Sequence, residues 1–217
     1  GLGYTCVDVG DPDAIEAAPL PFASLDVLVM CQGTVVYRRG EFERAGWDHV
    51  MAVNLDSLMH IARKCKAQLL ETQGSVIVVS SISGLKANIG NPAYAASKAG
   101  AISLTKTLGQ AWGPEGIRVN GLAPGLVDTK LTKVTTQHPD RLAASLARIP
   151  DGRMGTPEDM AGTAIFRAAE DIVAKGRRIA SDMLEASEAD IAFEAIQSIR
   201  RLRPRALIAL LAVGTAP

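Results

Sequence analysis

Gly74-Ser75-Val76-Ile77-Val78-Val79-Ser80-Ser81 is the stretch on which the fold turns. Its apolar residues run without alternation, so both faces of the strand they form are buried, as in a parallel sheet covered by helices on each side. Upstream, Leu25-Asp26-Val27-Leu28-Val29-Met30-Cys31 reads the same way and ends at Gly33. Downstream, Ala93 to Trp112 reads as a long helix before the Gly113-Pro114 break, and Ile117 to Leu122 as a third such strand. Between the first two, apolar residues recur at helical spacing from Trp47 to Leu70, with one polar residue, Asn54, on the buried stripe. Tyr4 to Val9 reads as a short strand closed by Gly10-Asp11-Pro12, with a short helix over 13–18. Strands alternating with helices predict βαβ units and a doubly wound parallel α/β sheet.

In such sheets the chemistry gathers beyond the carboxyl ends of the strands. Gly33, Ser81 and Pro124-Gly125 all follow strand ends, and Tyr94 opens the helix on the same side. On a helix, Tyr94 and Lys98 share one face about one turn apart. A cation within a few ångströms of a phenol lowers its pKa by roughly one to three units from about 10, which predicts a tyrosine usable in proton transfer. Ser81, thirteen residues before Tyr94, supplies a second hydroxyl. A carbonyl being reduced gains negative charge on oxygen, and two convergent hydroxyl donors meet that need. The alternative is that Tyr94 caps a helix and Lys98 is merely solvated. For Asn54, an amide that satisfies backbone at a helix kink is compatible with a role in the site.

The chain has 217 residues and is 47% apolar, which suits one domain with a sizeable core. Lys plus Arg and Asp plus Glu both number 23, so no charge excess argues for nucleic acid or an acidic membrane surface. The longest apolar run, Ala206 to Val213, is far short of the ~20 residues of a membrane span and reads as a buried strand or short helix. Cys6, Cys31 and Cys65 are odd in number and widely spaced, which reads as reduced core thiols in a cytoplasmic protein with no metal site.

From about Tyr4 to Ala169 these residues resemble the short-chain dehydrogenase/reductase family. The features that carry the resemblance are Asp8-Val9, the strand ending at Gly33, Val53-Asn54-Leu55, Ser80-Ser81, Tyr94 with Lys98, and Val119-Asn120-Gly121-Leu122-Ala123-Pro124-Gly125-Leu126-Val127-Asp128-Thr129. The resemblance implies a Rossmann-like fold and an NAD- or NADP-dependent oxidoreductase that interconverts a small-molecule alcohol and carbonyl. It implies that Ser81 hydrogen-bonds the substrate oxygen and Tyr94 exchanges the proton. Lys98 would lower the Tyr94 pKa and hold the nicotinamide ribose, Tyr94 would also contact the cofactor, and Asn54 would support a water relay. Asp8 and Val9 would meet the adenine, Gly33 would allow close backbone approach, and Pro124, Gly125, Val127 and Thr129 would hold the carboxamide. An ordinary turn is the other reading of Pro124-Gly125. Leu131 to Leu146 would be a substrate lid, with His138 at the surface. The long helices would form the face of a homodimer or homotetramer.

Three departures accompany the resemblance. The family's glycine-rich phosphate-binding turn would precede Tyr4 by several dozen residues, and Gly1-Leu2-Gly3 does not replace it. The expectation is an incomplete sheet, with first strand, first helix and second strand missing and the Leu25–Cys31 strand without its usual neighbour. Met30-Cys31-Gln32-Gly33 stands where the family usually has Asn-Asn-Ala-Gly, so the asparagine brace of the central strand is gone. After residue 169 the pattern changes. Residues 1–169 read as a partial domain and 170–217 as a divergent, mostly helical segment, with an amphipathic helix over 175–194. That helix faintly resembles a piece of molybdenum-dependent aldehyde and xanthine dehydrogenase large subunits, too short to import a molybdenum site. Arg200 to Arg205 reads as a solvated turn. The rival function is a noncatalytic remnant that acts as a subunit or binding module.

Overall fold

The computed structural model describes residues 4–160, Gly162 and, as backbone, residues 207–210. Asp11 opens the first helix, α1 (Pro12–Ala17), by accepting a hydrogen bond from the Asp13 amide, and Pro12 stands at its first position. Strand β1 (Val27–Met30) follows, then α2 (Arg44–Met51), a π-helical segment over Ala52–Asp56, and α3 (Ser57–Thr72). Strand β2 is Ser75–Val79, α4 is Pro92–Trp112 and β3 is Arg118–Leu122. Two short helices, α5 (Lys133–Thr136) and α6 (Pro139–Leu146), fall within the expected lid. A further strand, β4, spans Leu207–Leu210.

The strands form one sheet in the order β3-β2-β1-β4, every pair parallel. This is the Rossmann-like arrangement, with helical crossovers between β1, β2 and β3. Side chains alternate across the sheet as a two-residue period requires. Leu28, Met30, Val76 and Val78 are fully buried in one cluster with Leu58, Ile61, Ala62, Cys65 and Leu69 of α3 and with Ala101, Leu108 and Trp112 of α4. Val27, Val29 and Ile77 gather in a second cluster. Each such aliphatic side chain contributes roughly 1.5–3 kcal/mol by leaving water. The α3 stripe therefore holds the long helix to the sheet.

One expectation about the sheet is overturned, and the missing usual neighbour of β1 is replaced by a different strand. Residues 4–8 form no strand: Tyr4 is 83% exposed and Cys6 is exposed, and of that stretch Val9 is buried in the core with Val7 packed against it. Without a neighbouring strand its backbone has no ladder to join, and Cys6 is not a core thiol. The β1 strand, in contrast, does have a neighbour on its outer side. Val27 to Met30 pair in register with Leu207 to Leu210. An apolar strand edge leaves a row of N–H and C=O groups unpaired, and the apolar run from Ala206 supplies partners for them. Of the two readings of that run, a strand is the one observed. The amphipathic helix expected over 175–194 and the arginine-rich turn lie outside the described residues.

Trp47 also departs from its expected place, being 39% exposed, whereas Val50, Asn54, Leu58, Ile61, Cys65 and Leu69 are buried. The lost brace at the end of β1 has a substitute. Gln32 is buried and its Nε2 donates to the Ser57 hydroxyl at 2.9 Å, which in turn donates to the Val53 carbonyl at 2.6 Å. The end of β1 is thereby tied to the start of α3.

Candidate active site

The parallel register puts the segments after β1, β2 and β3 at one edge of the sheet, and the site is assembled there. After β1 the chain passes Gly33 and Thr34. Asn54 reaches this turn from the π-helical segment: its Oδ1 accepts from the Thr34 amide at 2.7 Å and its Nδ2 donates to the Thr34 carbonyl at 3.0 Å. The Ser57 amide, bonding five residues back to Ala52, marks the widened turn that carries Asn54. Nδ2 also donates to the Ser97 hydroxyl at 3.1 Å, and Ser97 donates to the Tyr94 carbonyl at 2.9 Å. Asn54 does sit at a helix irregularity, but its amide satisfies the Thr34 backbone of the β1 turn and the Ser97 hydroxyl of α4, not helix backbone as the kink reading expects.

After β2, Ser81 starts a short 3₁₀ turn over Ile82–Gly84, its hydroxyl accepting from the Ser83 amide at 3.1 Å. That hydroxyl also stands close enough to the Tyr94 phenol to oppose the rise in the phenol's pKa. The turn can sit this close to α4 because residue 84 is glycine: a Cβ there would stand 2.6 Å from the Lys98 backbone carbon. Ser80 fastens the same junction, its hydroxyl donating to the Lys98 carbonyl at 2.7 Å.

Lys98 is 4% exposed, and its Nζ donates to the Val79 carbonyl at 2.9 Å while lying 5.8 Å from the centre of the Tyr94 ring. Burial lowers its pKa to about 8, with the Cys31 thiol at the end of β1 opposing part of that fall. Tyr94 contradicts the expectation of a lysine-acidified phenol. Burial raises its pKa, the Ser81 hydroxyl opposes this, and the Glu41 charge adds to the rise. The physical reason is visible in the geometry: the ammonium faces the Val79 carbonyl and the ring, and the phenol is shielded from water. A phenol held protonated is a proton donor, the form that reduction of a carbonyl requires.

The remaining expected residues lie around this centre. Gly33 faces Lys98 and Asn54, since a Cβ on it would be 3.4 Å from Lys98 Nζ and 3.7 Å from Asn54 Oδ1. The Pro124 carbonyl accepts from the Ile82 amide at 3.0 Å, which sets the loop after β3 beside the Ser81 turn. Val127 is buried and bridges to Gly155. Thr129 is exposed and stands at the start of the 3₁₀ turn Lys130–Thr132, its amide donating to the Thr132 hydroxyl at 3.0 Å. Asp8 is exposed and accepts from the Gly10 amide at 2.9 Å; Gly10 in turn lies against Val53, beside Asn54. Asp8 and Val9 therefore flank the site on the Asn54 side without touching Tyr94 or Lys98.

Sequence reasoning assigns no role to Glu41, Ser80, Ser97 or Tyr37. Tyr37 bonds through its hydroxyl to the Leu131 carbonyl at the lid, and burial first, then Tyr94 and Glu41, raises its pKa. None of these carried a local signal, because each acts on a residue distant in the chain.

The family described as enoyl-(acyl carrier protein) reductase matches residues 4–182. The chain belongs to the short-chain dehydrogenase/reductase family. The chain is 36% identical over 175 residues to the 2-dehydro-3-deoxy-D-gluconate 5-dehydrogenase of Pseudoalteromonas atlantica, covering 77% of this chain and 68% of that one. It is 32% identical over 171 residues to the 3-oxoacyl-[acyl-carrier-protein] reductase of Vibrio cholerae, covering 75% and 68%. A structure from Agrobacterium tumefaciens solved with bound NADP superposes with a TM-score of 0.68 at 35% identity, covering 77% of this short-chain dehydrogenase/reductase and 70% of the other. The chain thus spans about two thirds of the length of the relatives it matches, and 56% of some.

Proposed function

We propose that this site interconverts an alcohol and a carbonyl with NADP(H) or NAD(H), Tyr94 exchanging the proton with the substrate oxygen. The observation that carries the reading is the Ser81–Tyr94 hydroxyl pair set against the buried ammonium of Lys98. The residues fit a dinucleotide's nicotinamide end: Gly33 presents bare backbone beside Lys98, and the Pro124–Thr129 loop is held beside the Ser81 turn, where it would meet a carboxamide. Nicotinamide supplies or accepts the hydride when bound, as the NADP in the solved relative suggests.

In the reducing direction Ser81 donates to the carbonyl oxygen and Tyr94 delivers its proton as charge develops there. Lys98 orients the ribose and supplies positive charge behind the phenol. Asn54 keeps the β1 turn and α4 in register, and supports a water relay toward Lys98. Asp8 and Val9 would meet the adenine. NADPH and NADH fluorescence titrations test the reading: binding at micromolar to low millimolar cofactor is expected, and absence of binding at millimolar concentration would favour the noncatalytic remnant.

We also assign the outer face of the long helices to a homodimer. Leu55, Met59, Gly100 and Leu104 line one shallow groove across α3 and α4, and Met59 is 39% exposed within it. Analytical ultracentrifugation should give twice the chain mass; a monomer at high concentration would overturn the assignment.

A further inference from the structure

Helix α4 carries both Tyr94 and Lys98, so whatever fixes its first turn fixes the phenol. The first N–H groups of a helix have no partner inside it and need acceptors from elsewhere. Here Pro92 has no N–H, and the Ala95 amide bonds back to the Asn91 carbonyl at 3.0 Å. The cap residue Asn91 would ordinarily satisfy a first-turn amide with its side chain, but it makes no such bond. Its Nδ2 donates instead to the Val36 carbonyl at 3.2 Å and to Glu41 Oε1 at 3.1 Å. The Tyr94 amide donates to Glu41 Oε2 at 2.9 Å.

We propose that Glu41 is the positioning residue for Tyr94, acting as an N-cap supplied from a different segment of the chain. The proposal rests on the reading of Tyr94 as the proton-exchanging group. Glu41 is 0% exposed, and its Oε1 also accepts from the Val36 amide at 3.0 Å. Burying a carboxylate is expensive unless it is hydrogen-bonded. Three N–H donors and the positive end of α4 supply that compensation. A cap needed only for helix stability would be met by Asn91 alone, at the surface and without a buried charge. The arrangement instead ties the Tyr94 backbone to the segment over 36–41, and that segment carries Tyr37, whose hydroxyl holds the lid at Leu131. One carboxylate therefore joins the start of the catalytic helix to the wall and lid of the substrate crevice. Glu41 is also one of the groups facing the phenol, with Ser81, Lys98 and Tyr37.

The test is Glu41→Gln, an isostere that turns one acceptor into a donor facing N–H groups. Two readouts do not require turnover: hydrogen exchange of the Tyr94 amide, and titration of the phenol followed by tyrosine ring-carbon NMR. The amide is expected to exchange at least about tenfold faster in the variant, and the phenol to titrate at lower pH because a neighbouring negative charge is gone. Carbonyl reduction should fall by roughly 10- to 10²-fold in kcat with KM for NADPH unchanged. Unchanged exchange and titration in a folded variant would overturn the proposal. Should the variant fail to fold, the unmodified chain decides: protection of the Tyr94 amide well above that of a frayed first turn supports the cap, and fast exchange overturns it. Shifted exchange and titration in a chain that reduces no carbonyl would leave the cap standing and count against the oxidoreductase reading alone.

Discussion

Tyr94→Phe is expected to lower carbonyl reduction by about 10²- to 10⁴-fold, the usual worth of a positioned proton donor. The loss should fall on kcat, because the substitution removes no group that Gly33, Lys98 or the Pro124–Thr129 loop offers to the dinucleotide. The structure separates chemistry from folding at this position. The Tyr94 backbone is held by Glu41 through its amide and by Ser97 through its carbonyl, and both bonds survive loss of the hydroxyl. What disappears is the phenol's interaction with Ser81, on the order of 1 kcal/mol at most. A thermal unfolding curve shifted by a few degrees, with NADPH affinity retained and turnover lost, is the expected combination. Turnover within tenfold of the unmodified chain would assign the proton to another donor, and Tyr37 would be the first to examine.

Much of this centre was legible in the sequence because its parts carry strong local patterns. Val76 to Val79 and Val27 to Met30 have the unbroken apolar character that only a strand buried on both faces sustains, and their parallel pairing follows from the helix between them. Once those strands are parallel, Gly33, Ser81 and Pro124 must emerge at one edge. Asn54 stood out as the one polar residue on an apolar stripe. The residues that hold the centre in place carry no such mark. Glu41 follows a glycine in a polar stretch, and only the fold shows its carboxylate at the start of α4. Tyr4 to Val9 misled in the opposite direction, because β-type residues make a strand only where a neighbour offers a ladder. The β1–β4 pairing was illegible for a related reason: strand partners distant in sequence are chosen by the open edge, not by either segment alone. The direction of the Tyr94 shift was also hidden. Spacing shows that an ammonium lies one turn away, but not that its hydrogen bond goes to Val79.

Lys98→Met is expected to abolish turnover and, in the same protein, to reverse a pH dependence of stability. Lys98 has a folded pKa of about 8 against an ordinary value of 10.5. Below pH 8 both folded and unfolded chains hold the proton, and the folded chain carries the whole burden of a desolvated ammonium. Between pH 8 and 10.5 the folded chain releases the proton first, the unfolded chain binds more protons, and stability contributed by this site rises with pH. A shift of this size makes the unmodified chain gain roughly 2–3 kcal/mol relative to Lys98→Met between pH 7 and pH 10. Tyr94, Cys31 and Cys65 all have raised pKa values, so their stabilising terms weaken as pH rises, but they are present in both proteins and largely cancel in the difference. Methionine forfeits the bond from Nζ to the Val79 carbonyl, which costs roughly 1–3 kcal/mol at every pH and leaves the slope untouched. Denaturant unfolding of both proteins at several pH values gives the difference directly. A difference that stays constant from pH 7 to pH 10 would mean that Lys98 is not desolvated in the folded chain. A rising one identifies the group behind the phenol as an amine whose protonated form is held at a cost to the fold, the cost that the proposed roles of Lys98 would justify.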